Sequence, residues 1–308
     1  MTLASGGRAD FTSALHPCGV SIYNRSINVR RGDQTVIPRT TLRLGAVSYL
    51  NTKPLVHTLA ERLPQAELIY DLPSRLADRL AAGTLDVALI PSVEFFQNPG
   101  YSIVSDACIG CRGPVWSVKL LSRVAGPAIR TLALDEGSRT SAALVRVLLK
   151  ERFGLTPELL PLPIDCEPLS SPADAILLIG DRAIHTPPGP WNFIWDLGEE
   201  WNRWCQLPFV FAMWTARAGL DPARLAEVDV ALRAARDRGV QHLAQIAERE
   251  APQVQLTPGE CLAYLRDNLY FYLGAQEQRG LQLYYRHAAA LGLAPAGRRW
   301  REVESTAA

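Results

Sequence analysis

Gly45-Ala46-Val47-Ser48-Tyr49-Leu50-Asn51-Thr52-Lys53-Pro54-Leu55 is the stretch on which the fold turns. The apolar run from Leu42 to Leu50 reads as a buried strand, and the polar turn after it opens straight onto helix-forming residues. Thr52 suits an N-cap, and Pro54 suits the first helical turn, where a missing N–H costs nothing. Strand, turn and helix in that order build an open α/β sheet, whose ligands collect beyond the carboxyl ends of the strands. A helix N-terminus there offers unpaired N–H groups to a small anion. A plain helix cap would also use Asn51 and Thr52.

Outward from this stretch the pattern repeats. Leu55, Val56, Leu59 and Leu63 form a helical stripe, and a second helix runs from Ser74, an N-cap candidate, to Gly83. Asp86 to Ser92 is another buried strand, placing the Ser92 hydroxyl at its carboxyl end. Residues 115–123 read as a strand carrying the chain from one lobe to another. A new unit follows, with strand Thr131–Leu134, the polar turn Asp135 to Ser141, and a stripe of Val145, Leu148, Leu149 and Phe153 ending at Gly154. Ser138, Arg139, Thr140 and Ser141 make this a further anion cradle. Ala175–Ile179 is a strand ending at Gly180-Asp181, and Leu207 to Trp214 reads as the return crossing. Helices close the chain, one opened by Asp221-Pro222, one by the capping-box pattern Thr257-Pro258-Gly259-Glu260, and one over Leu281–Leu291. The expected fold is therefore α/β, with two lobes and a ligand cleft between them. Residues 1–40 read as a loose N-terminal extension, 41–118 as the first part of lobe 1, 119–215 as lobe 2, and 216–308 as helices largely returning to lobe 1.

Composition narrows the function. Lys and Arg total 32 against 31 Asp and Glu, so no global field recruits nucleic acid or an anionic membrane surface, and an anion must be caught locally. No apolar run approaches the roughly 20 residues that span a bilayer. Six cysteines show no secreted-domain framework, and residues 1–40 lack a signal-peptide pattern, which argues for the cytoplasm. Cys108 and Cys111 form a lone CxxC without a second pair at ligand spacing, which is weak evidence for a zinc or redox site. His57, His185, His242 and His287 all fall away from the strand-end turns. Glu94 and Asp135 are candidate cleft carboxylates, and the aromatic cluster from Trp191 to Trp204 reads as packing material.

Five blocks occur in order: Ser48-Tyr49-Leu50-Asn51-Thr52-Lys53-Pro54, Ile90-Pro91-Ser92-Val93-Glu94, Ser138-Arg139-Thr140-Ser141, Ile179-Gly180-Asp181, and Leu207-Pro208-Phe209-Val210-Phe211-Ala212. With these the chain, from about Leu42 to the late helices, resembles the chorismate dehydratase family of the futalosine route to menaquinone. The resemblance implies a fold like that of type II periplasmic binding proteins. It also implies conversion of chorismate to 3-[(1-carboxyvinyl)oxy]benzoate and water without metal or cofactor. By matched position it implies Asn51 and Ser92 at the reacting ring. Ser48, Tyr49, Ser117, Ser138, Arg139, Thr140 and Ser141 are then the substrate-binding residues. No general base is evident, so the substrate's enolpyruvyl carboxylate is expected to take the ring proton. Two rival readings stand: a sister enzyme forming 1,4-dihydroxy-6-naphthoate, which needs a histidine at the cleft, and a non-catalytic small-anion binding protein. Oligomeric state is not legible in the sequence.

Overall fold

The structure is a computed structural model that describes residues 41–303, so the expected extension over residues 1–40 lies outside the described residues. Two sheets account for the layers. The chain lays down β1 (Leu42–Val47), α1 (Lys53–Val56), α2 (Leu59–Arg62), β2 (Ala66–Asp71), α3 (Pro73–Ala81), β3 (Val87–Pro91), α4 (Ser92–Gln97) and β4 (Ser102–Cys111). It then builds a second sheet from β5 (Val118–Ser122), β6 (Thr131–Asp135), α5 (Arg139–Phe153), β7 (Glu158–Leu162), β8 (Ala175–Ile179), α6 (Asp181–Ile184), β9 (Phe193–Asp196) and α7 (Leu197–Cys205). It returns through β10 (Phe209–Ala216), α8 (Pro222–Gln241), α9 (Leu243–Glu250), α10 (Pro258–Ala263), a π-helical turn over Tyr264–Asn268, β11 (Tyr270–Tyr272) and α11 (Ala275–Ala290).

The first sheet has the order β11-β4-β10-β3-β1-β2 and the second β7-β6-β8-β5-β9. β1 runs parallel to β2 and β3, and β6 runs parallel to β7 and β8, so each lobe places a strand-turn-helix unit at its heart. The strands that read as unbroken apolar runs, β3 and β8, are buried along their whole length because each lies inside its mixed sheet, between one parallel and one antiparallel neighbour, with helices packed over it. In β8, Ala175, Leu177 and Ile179 join the main core while Ile176 and Leu178 join a smaller cluster with Leu121 and Ala133, the period of two expected of a strand. Edge strand β7 tolerates Pro161, since an edge N–H is not needed by a neighbour.

Local signals at element ends hold where they rest on side-chain caps. Ser138 caps α5, Asp221 caps α8, and Thr257 with Glu260 forms both bonds of a capping box at α10. Four expectations are corrected. Ser74 does not cap the second helix: α3 starts at Pro73, so Ser74 lies inside its first turn, and Leu72 holds the N-cap position without a side-chain cap bond. The first helical stripe is two short helices, because the chain is extended at His57 and left-handed at Thr58, whose φ is +66°. Thr52 does not cap α1; a 3-10 turn over Leu50–Thr52 intervenes, and the Thr52 hydroxyl donates to Asn51 Oδ1 at 3.3 Å. The strands at 115–123 and 207–214 are not the crossings. β5 belongs wholly to the second sheet and β10 wholly to the first, so the return precedes Phe209 rather than falling near residue 215. Each crossing is instead an irregular segment containing a residue at positive φ, Trp116 at +63° and Gln206 at +57°, which no continuous strand accommodates.

Candidate active site

A cavity lies where the carboxyl ends of β1, β6 and β8 face the first crossing. Its wall is formed by Tyr49, Asn51, Ser117, Ser138, Ser141 and Gly180, with Val47, Pro73, Ile109, Val115, Ile179 and Phe211 supplying apolar surface. Among the described residues no His, Lys, Arg, Asp or Glu lines it. Any charge it receives must be met by hydroxyls, an amide and backbone dipoles. The void is about 40 Å³, space for about one or two waters and smaller than a ring-sized ligand.

Tyr49 follows β1 and reaches into the second lobe. A Cβ added at Gly180 would lie 2.9 Å from Tyr49 Cζ, and one added at Gly137 would lie 2.9 Å from the Tyr49 hydroxyl, so both glycines make room for the phenol. Gly180 also has φ +62° and ψ −147°, a conformation essentially restricted to glycine. The Tyr49 hydroxyl is buried without a hydrogen-bond partner. Burial pushes its pKa well up, and the nearby carboxylates of Asp135 and Asp181 add to that shift. It is a neutral donor on a residue that lines the cavity, the kind of group that a ligand oxygen would satisfy.

Asn51 and Ser117 sit together on the opposite wall. Tyr264 donates to Ser117 Oγ at 2.9 Å, and Ser117 in turn donates to the Val115 carbonyl at 3.4 Å. Ser138 and Ser141 come from the start of α5, where their hydroxyls are 3.1 Å apart and the Ser141 amide donates to Ser138 Oγ at 3.3 Å. Fifteen residues of α5 stand behind them, so the positive end of its dipole points at this corner.

The structure thus brings together Tyr49, Asn51, Ser117, Ser138 and Ser141, and sets the other expected residues elsewhere. Ser92 opens α4 rather than ending a strand in a polar turn. Its hydroxyl is fully buried, donates to the Val210 carbonyl at 2.8 Å, and lies 3.3 Å from Thr140 Oγ1. Thr140 is likewise fully buried and accepts from the Val93 amide at 3.1 Å. These two hydroxyls join α4 to α5 behind the cavity wall. Arg139 turns outward to hold Asp78 through two bonds of 2.9 Å and to pair with Glu94 at 3.4 Å. Ser48 is exposed on an outer groove with Lys53 and Arg249.

The candidate carboxylates are also occupied. Asp135 accepts from the Gly137 amide at 2.9 Å and pairs with Arg182 at 3.3 Å, while Glu94 pairs with Arg139. Asp181, just past the end of β8, accepts from the Leu50 amide at 3.4 Å and so links the two lobes. No histidine among the described residues lines the cavity: His57 stacks on His242, and His185 bonds the Val254 carbonyl in an outer groove. Cys108 and Cys111 lie three residues apart on β4, so they point to opposite faces and cannot share a metal. Among the described residues no group of three His, Cys, Asp or Glu converges as metal ligands, and no helix is long and apolar enough to cross a membrane.

Sequence reasoning missed Tyr264, which lies some 150 residues along the chain from its partner Ser117 and carries no local motif. It also missed Asp196, the N-cap of α7, which accepts from the amides of Val115 and Trp116 and fixes the crossing beside the cavity. The glycines at 137 and 180, each just past a strand, were the available signal for a close approach.

Comparison with known proteins places the fold and the family. Among solved structures, protein AF1704 from Archaeoglobus fulgidus aligns with a TM-score of 0.67 at 15% identity, covering 82% of this chain and 98% of its own. The periplasmic aliphatic sulphonate binding protein SsuA from Escherichia coli aligns with a TM-score of 0.55 at 16% identity, covering 86% of this chain and 93% of its own. These likenesses establish a two-lobed α/β fold like that of periplasmic binding proteins. A family profile described as menaquinone biosynthesis matches residues 42–290. A chorismate dehydratase from Thermus thermophilus is 33% identical over 267 residues, 81% of this chain and 95% of the relative. The chain therefore belongs to the menaquinone-biosynthesis family that includes this chorismate dehydratase.

Proposed function

We propose that the protein is a cytoplasmic hydro-lyase that dehydrates chorismate to 3-[(1-carboxyvinyl)oxy]benzoate. The observation that supports the reading is the cavity wall itself, which among the described residues offers an unpartnered phenol, an amide and three serine hydroxyls but no His, Lys, Asp or Glu. Loss of the ring hydroxyl and of the ring hydrogen beside the ether makes the ring aromatic, so the reaction supplies its own driving force. The protein has to bind a dianion, orient it, and help a proton and a hydroxide leave as water.

Ser138 and Ser141, at the positive end of α5, suit one carboxylate. Tyr49 supplies a donor on the same side. Asn51 and Ser117 face the ring, where an amide N–H or a hydroxyl can hydrogen-bond the departing hydroxyl. With no His, Asp, Glu or Lys on the wall among the described residues, the enolpyruvyl carboxylate of the substrate itself takes the ring proton. Ser92 and Thr140 serve indirectly, holding α4 and α5 together beneath Ser141. Opening of the lobes admits substrate, and closure brings Tyr49 back onto Gly180.

The test is incubation of purified protein with chorismate, following aromatic product by chromatography and mass, with Asn51→Ala and Ser117→Ala alongside. Product from wild type and its loss in both variants supports the reading; binding without turnover favours a small-anion binding protein. An analogue lacking the enolpyruvyl carboxylate should bind and not react, and undiminished turnover would refute substrate assistance.

A further inference from the structure

We infer that Tyr264 is a positioning residue: from a π-helical turn outside both sheets, its phenol fixes which faces of Asn51 and Ser117 are presented to the cavity. This inference rests on the dehydratase reading of the cavity. Three observations converge on it. Tyr264 is 1% exposed yet contributes nothing to the cavity wall, while both polar groups it serves do line that wall. Its hydroxyl donates to Ser117 Oγ at 2.9 Å, and because Ser117 passes its own proton to the Val115 carbonyl, the direction of the chain is set. Asn51 approaches the same phenol, and its carbonyl end is marked by the Thr52 hydroxyl, which donates to Asn51 Oδ1 at 3.3 Å. The amide nitrogen of Asn51 is therefore the end that meets Tyr264.

The two ends of an asparagine amide have the same shape and opposite hydrogen-bonding character. Packing alone cannot choose between them, so polar partners must. With Thr52 on one end and Tyr264 on the other, one N–H of Asn51 remains for a ligand oxygen. Removal of the phenol oxygen leaves the amide free to turn and offer its carbonyl to an anionic ligand, which repels it. The support of Tyr264 is itself deliberate. The capped helix α10 runs into the π-helical turn that starts at Tyr264, and π-helical turns recur at functional sites. The Trp116 ring, held by a backbone at φ +63°, packs edge-on against the Tyr264 ring with centroids 5.6 Å apart.

Tyr264→Phe tests this because it keeps the ring and the Trp116 contact and deletes only the oxygen. Turnover of chorismate should fall about 10²-fold in kcat while KM changes far less, since a misoriented group costs orientation rather than binding area. In a cycle with Ser117→Ala the two losses should be strongly non-additive, because one residue acts through the other. Independently of turnover, the side-chain amide resonances of Asn51, assigned by their absence in Asn51→Asp, should shift in Tyr264→Phe without any ligand. A variant with wild-type kcat, or one that loses kcat while the Asn51 resonances stay in place, overturns the inference. So does a variant whose melting temperature falls but whose folded fraction turns over normally. If wild type itself forms no product, the dehydratase reading fails, and the Asn51 resonances still decide whether Tyr264 orients the amide.

Discussion

Replacing Gly180 with alanine should damage stability and turnover through two separable causes. The backbone at Gly180 has φ +62° and ψ −147°, and forcing an L side chain into that region costs about 1–3 kcal/mol. The new methyl would also lie 2.9 Å from Tyr49 Cζ, 3.0 Å from Cε2 and 3.1 Å from Cδ2, so the whole edge of the ring must retreat, an overpacking of about 1–3 kcal/mol. Together these predict a loss of about 2–6 kcal/mol, which at about 2–4 °C per kcal/mol is a fall in melting temperature of about 10 °C. Because the ring displaced belongs to a residue that lines the cavity, kcat should fall as well, by about 10²-fold for a shift near 1 Å. Thermal melts followed by near-ultraviolet circular dichroism, paired with product formation per folded molecule, measure both. A double-mutant cycle with Tyr49→Ala separates the causes: the clash disappears in that background and the backbone cost stays, giving a coupling of about 1–3 kcal/mol. Equal stability of Gly180→Ala and wild type, or zero coupling to Tyr49, would show that the ring does not sit on Gly180 in solution.

Ser92→Ala should cost about 1–3 kcal/mol by leaving the buried Val210 carbonyl and Thr140 hydroxyl short of a partner, with turnover per folded molecule much less affected. A variant of normal stability that had lost all activity would restore Ser92 to the chemistry. Asp86 joins the ends of β1 and β10 through Arg43 at 3.1 Å and Arg217 at 2.7 Å; burial raises its pKa, but the bonds to these arginines outweigh it and hold the carboxyl below 3.8. A depressed carboxyl pKa contributes stability that is present above the unfolded value of 3.8 and lost as pH falls through the folded value. Asp86→Asn should therefore be destabilised by about 1–3 kcal/mol at pH 7, with the gap to wild type closing in acid melts below that point; a gap independent of pH refutes the pairing. Thiol reagents at pH 8 should label exposed Cys166 quickly and spare buried Cys108 and Cys111, the latter with its pKa pushed up to about 12 by burial. Peptide mapping of the labelled protein checks this, and rapid modification of Cys111 in the native state would contradict its placement.

The sequence determined what local physics and composition can carry. Unbroken apolar runs at Val87–Pro91 and Ala175–Ile179 could only be strands buried on both faces, and the caps at Ser138, Asp221 and Thr257 marked true helix starts because each side chain bonds its own backbone within three residues. Near-neutral charge turned attention from broad fields to local donors. Tertiary structure decided which hydroxyls reach the cavity. Ser92 and Ser117 look alike in sequence, each beside a strand, but Ser92 meets the carbonyl of Val210, 118 residues away, while Ser117 is left facing the cleft by a crossing bent at Trp116. Arg139 looked like a carboxylate ligand until α3 supplied Asp78 as its partner. Tyr264 was invisible for the same reason: a side chain's function depends on which distant groups satisfy it, and that pairing exists only after the chain has closed on itself.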